Sequence, residues 1–232
     1  MKRSLVVFLL WLVIPVVVAK EKIPMPDADK GGIAISLRAW SPYGADRLEA
    51  VIVQFVRVEA EGDAYTAPAF VESNWVGEHG KVYALNVPPG RYAAVAFRTR
   101  GGSLLAVRDK QWIFLEKELI DVTTVDVAAG QIAFAGTYTT GGTPWKSSAA
   151  DKDQDSASAA DAAQVHYLQL MFPDALDKST FARIYGAHPV YLGNYMPSRS
   201  AGRTSEAHDE FWNKARKDKD LSPEWLGMIG PL

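Results

Sequence analysis

Residues 81–97 read KVYALNVPPGRYAAVAF, two apolar runs held apart by Pro88-Pro89-Gly90. The two prolines fix φ and withhold two N–H donors, so regular pairing must stop there, while Gly90 tolerates the backbone angles of a sharp turn. Before the turn Tyr83, Leu85 and Val87 alternate; after it Tyr92, Val95 and Phe97 stand among alanines, the composition of a buried β segment. The stretch predicts a β-hairpin corner.

The flanking sequence repeats the pattern. Residues 33–37 alternate, 50–58 are β-branched on both faces as in a central strand, and 65–71 contain Pro68 and predict an edge strand at best. Residues 104–107 and 111–115 predict a further hairpin, and 121–127 with 132–138 predict another around Ala128-Ala129-Gly130. Short strands with turns between them and no helical period predict a mainly β fold, an antiparallel β-sandwich of transthyretin or immunoglobulin type over residues 31–140.

The run Leu85-Asn86-Val87-Pro88-Pro89-Gly90-Arg91-Tyr92 resembles the L-x-x-(P)-P-G-x-Y corner of exported bacterial β-sandwich modules of the carboxypeptidase-regulatory or transthyretin-like kind. Residues 129–136 (AGQIAFAG) resemble the closing hairpin of envelope domains that share that corner. The resemblance spans residues 31–140 and implies a supporting, binding or assembling role without catalysis.

Export is read from the first nineteen residues. Lys2-Arg3, an apolar block broken only by Pro15, and Val17-Val18-Ala19 make a secretory signal with cleavage expected after Ala19 and no membrane span thereafter. The chain of 232 residues has no cysteine, so disulfides, thiolate metal sites, cysteine nucleophiles and a lipidated cysteine are excluded. Losing the signal removes two basic residues and no acid, moving the formal charge from −2 to −4, a balance that argues against nucleic-acid binding. A periplasmic or secreted destination is expected.

At Gly141 the composition shifts. Residues 141–160 are rich in Gly, Ser, Ala and Asp and predict a flexible linker; beyond it, residues 161–232 take on a helical period. Helices are expected over 165–172, 179–185, 205–217 and 222–225, with Thr204 or Ser205 and then Ser222 as caps. Their apolar residues are too few for an independent core, so Phe172, Phe181, Phe211 and Trp225 are expected to pack on the β body or on a partner.

Candidate chemistry is sparse. His166, His188 and His208 lie in the tail without metal-ligand spacing, and Asp151-Lys152-Asp153-Gln154-Asp155 begins like a calcium loop but has Ser156 at the required glycine and Ala162 at the closing carboxylate. Neither a G-x-S-x-G elbow nor a phosphate loop occurs, so no catalytic residue, metal or cofactor is expected. Six tryptophans follow the signal, and Trp75, in a polar context, is the one expected to be exposed; Trp145 stands at the linker, and Tyr185, Tyr191 and Tyr195 lie in a glycine-containing loop. These five are the candidate partner-binding residues. The expected function is a non-catalytic binding or envelope-associated module engaging a protein partner, with an exported hydrolase or a glycan-binding module as alternatives.

Overall fold

The computed structural model describes residues 26–40, 47–58, 69–99, 112–144, 166–167, 170 and 191–232. Among them are ten strands: β1 (Gly31–Trp40), β2 (Arg47–Arg57), β3 (Phe70–Glu72), β4 (Trp75–Val76), β5 (Lys81–Val87), β6 (Gly90–Thr99), β7 (Trp112–Leu115), β8 (Val125–Val127), β9 (Ile132–Pro144) and β10 (Tyr191–Tyr195). The α-helices are α1 (Lys117–Val122), α2 (Ser205–Asp218) and α3 (Pro223–Leu226). The mainly β expectation is met.

The sandwich is not. Pairing runs β1-β2-β6-β7-β10-β9 and returns to β1, closing a six-stranded barrel, with β5 and β4 attached to β1, β3 to β2, and β8 to β6. Nor is the sheet wholly antiparallel, because β1 with β9 and β7 with β10 are parallel pairs. The cause of closure lies in β1. Its first six residues pair with β5, and its last three, Arg38 to Trp40, pair with Glu49 to Arg47 of β2, while β9 runs along its other edge throughout. One ten-residue strand thereby joins both ends of the sheet, leaving neither β1 nor β2 with a full-length open edge.

The Pro88-Pro89 turn is a corner but not a hairpin. β5 pairs with β1 and β4, whereas β6 pairs with β2, β7 and β8, so the chain changes neighbours as it turns. The Tyr92 hydroxyl donates to the Pro88 carbonyl at 2.9 Å, tying the strand after the turn to the residue before it. Residues 121–127 likewise do not form a hairpin with the next strand: α1 occupies 117–122, and β8 pairs with β6. The boundary at residue 140 does not follow the sheet either. β9 continues to Pro144, and β10, inside the stretch expected to be helical, is a barrel strand between β7 and β9.

Alternation along β1 divides the core. Ile33, Ile35, Leu37 and Ala39 join Val53, Phe55, Phe97 and Tyr138 in one cluster, while Ala34 faces the other way with Tyr83, Leu85, Ile132 and Phe134. Over that second face lie Phe211, Trp212, Ala215, Leu221 and Trp225 of the C-terminal residues. Phe211 and Trp225 therefore pack on the β body as expected; Phe172 and Phe181 lie outside the described residues. Full burial of each such large side chain contributes about 1.5–3 kcal/mol, enough to hold helices that would be marginal alone.

Both helices start where the sequence predicts. Thr204 accepts from the Ala207 N–H at 3.2 Å and Ser222 from the Trp225 N–H at 3.5 Å. α2 ends in paired reverse bonds, Asp220 N–H to Ala215 and Lys219 N–H to Arg216, with Lys219 left-handed at φ 54°. That ending sets Asp218 and Asp220 side by side.

Candidate functional site

A concavity lies where β2 and the segment carrying β3 and β4 part company. Ser73 is the last residue held to β2: its N–H donates to the Val53 carbonyl at 2.8 Å and its hydroxyl accepts from the Val53 N–H at 2.9 Å. The chain then crosses to β5, where the Asn74 amide imitates a strand residue, its Nδ2 donating to the Leu85 carbonyl and its Oδ1 accepting from the Leu85 N–H, both at 2.9 Å. Between the diverging strands is a depression of about 380 Å³, walled by Val51, Ile52, Glu72, Trp75 and Val76.

Its lining mixes the polar Glu72, Ser73 and Asn74 with the apolar Val51, Ile52, Trp75 and Val76. Val51 has no partner in the registers of β2 with β1, β3 or β6, because the β2–β6 register slips between Ala50 and Ile52. The Trp75 indole N–H is shielded from solvent and has no acceptor. A concavity that combines apolar side chains with a few hydrogen-bonding ones has the makings of a binding site.

Trp75 is thus brought to a concavity, yet it is not the exposed loop tryptophan expected: it belongs to β4, is half-buried, and packs against the cluster beneath α2 and α3. The other candidates are not gathered around it. Tyr195 is half-buried, its ring 6.0 Å from that of Tyr138 and its N–H donating to the Glu116 carboxylate, so it packs against barrel residues. Tyr191 pairs through its backbone with Ile113 and Pro144 in the sheet. Trp145 and Tyr185 lie outside the described residues, as do His188, the calcium-like run and the signal.

A polar cluster that sequence reasoning missed joins the barrel to the helices. Lys81, 3% exposed, places its Nζ 2.8 Å from Asp218 Oδ2 and 3.0 Å from Asp220 Oδ2. Asp220 also accepts from the Tyr83 hydroxyl at 3.0 Å and from the Glu78 N–H at 2.9 Å. Gly77 makes room, since a β-carbon there would collide with the Asp220 carboxylate. The hydrogen bond from Lys81 holds the Asp218 carboxyl below its ordinary range, and burial, reinforced by Asp220, pushes the Tyr83 phenol well above its own. Asp218 is the last residue of α2 and so stands at the negative end of that helix. With Lys81 shared by two carboxylates and Asp220 by three donors, this cluster is a lock between elements.

Two of the described histidines, His166 and His208, serve packing. His166 bonds the Leu115 carbonyl through Nε2 at 2.8 Å, and burial lowers its pKa from the ordinary histidine value; His208 stacks edgewise on Phe134 and Trp212. Exposed His79 lies 4.0 Å from Asp218. Among the described residues no three metal-ligating side chains converge, and no helix is long and apolar enough to cross a membrane. Comparison with known proteins gives no match to a family model, a curated protein or a solved structure.

Proposed function

We propose that the protein is a non-catalytic, exported and envelope-associated binding module that engages a protein partner through the depression beside Trp75. The observation that carries this reading is Trp75 itself: a large ring braced from behind by the core, on a two-residue terminal strand, with an indole N–H that lacks an acceptor. A braced aromatic costs little ordering entropy when a partner covers it, which is why such residues dominate interface energetics. The resemblance of the Pro-Pro-Gly-x-Tyr corner to exported supporting modules, and the apolar leader, favour the envelope setting. The tail helices no longer argue for a partner, because α2 and α3 spend their apolar faces on the barrel.

The test is retention of envelope proteins on the immobilised chain. Trp75→Ala should weaken retention of the specific partner by about tenfold or more, the loss of an interface anchor worth about 2 kcal/mol, whereas Glu118→Ala on the exposed side of α1 should leave it unchanged. Equal retention by both variants would remove the depression from the interface.

A further inference from the structure

The registers around the depression also leave a strand edge beside it. In the β2–β3 pair, Arg57 N–H bonds Ala69 and Ser73 N–H bonds Val53, which makes 57 with 69, 55 with 71 and 53 with 73 the hydrogen-bonded positions. Phe70 and Glu72 fall between them, so their N–H and C=O groups point away from β2. Among the described residues no strand pairs with β3 on that side. On β4, Gly77 N–H bonds Lys81, and by the same alternation Val76 turns its backbone groups away from β5. Among the described residues, a short edge of unpaired donors and acceptors therefore runs along β3 on the side away from β2, the arrangement to which an extended peptide adds as a strand.

Charge selects among peptides. Glu72 is exposed on this edge and Glu78 follows two residues after β4, and neither forms an ion pair among the described residues. Lys81, the cation nearest in sequence, is buried and consumed by Asp218 and Asp220. A second copy of the chain would bring another Glu72 to the same short edge. Resting on the protein-partner reading above, we infer that the free edge of β3, beside the depression, receives an extended, basic segment of the partner, added as a strand.

Three hexapeptides titrated into the isotope-labelled intact protein test this: alternating Lys-Val, alternating Glu-Val, and Lys-Val with alternate amides N-methylated. The Lys-Val peptide should shift the amide resonances of Phe70, Glu72 and Val76 and slow hydrogen exchange at Phe70 and Glu72. Glu-Val should bind about tenfold more weakly, added salt and Glu72→Gln should narrow that gap, and N-methylation should abolish the effect. Equal binding by the three peptides, unmoved edge amides, or a response to a neutral oligosaccharide in place of the peptides would overturn strand addition. If the edge amides stay silent while Trp75→Ala still releases the partner, strand addition falls and the partner role stands; if Trp75→Ala releases nothing, the role falls as well.

Discussion

Lys81 shows how much one side chain can organise. It opens β5, is sealed from solvent, and holds two aspartates from the far end of the chain, 137 residues away in the case of Asp218. Replacing it by methionine leaves Asp220 buried without its cation, and urea unfolding should show a loss of about 3–5 kcal/mol; adding Asp220→Asn should restore part of it. The same lock sets a pH dependence. Because the folded Asp218 carboxyl titrates below its unfolded value, its contribution is complete above about pH 4 and is lost as pH falls through the lowered folded value, so Asp218→Asn should flatten that limb of a stability–pH curve. His166 acts at higher pH with the same sign: burial lowers its folded value, so stability declines as pH falls below about 6.5, and His166→Gln should remove that decline. None of these partnerships was legible in the sequence, where Lys81 reads as an ordinary lysine before a strand.

At the scale of elements, the corner and the caps carry testable energies. Tyr92→Phe removes the hydroxyl that reaches the Pro88 carbonyl and should cost about 0.5–1.5 kcal/mol in denaturant unfolding with no change in ligand retention. Strand positions and helix caps were readable because alternation and short polar side chains act over a few residues; β1, β2, β6 and the caps at Thr204 and Ser222 fall where local pattern puts them. Pairing was not. The parallel alignment of β1 with β9 joins segments about a hundred residues apart, β10 returns from beyond a polar run that reads as a boundary, and α1, at six residues, is too short to display a period. Trp75 was singled out for its polar context, while the depression beside it depends on two strands diverging, which no local pattern encodes.

Taken whole, the molecule is a closed barrel with a helical cover on one outer face and an unfinished edge at a neighbouring seam. The cover is integral: removing residues 205–232 uncovers Ala34, Tyr83, Leu85, Ile132 and Phe134 while leaving β10 in place, and the truncated chain should bind markedly more hydrophobic dye than the intact one. That cover leaves the Trp75 seam as the surface through which the proposed partner acts. The most direct measurement is site-specific photocrosslinking in intact cells, with the reactive side chain placed at Ile52 on the seam or, as control, at Asp209 on the solvent side of α2. The account predicts a discrete protein adduct from position 52, lost on Trp75→Ala, and none from position 209; adducts of equal yield from both positions, or none from position 52, would contradict it.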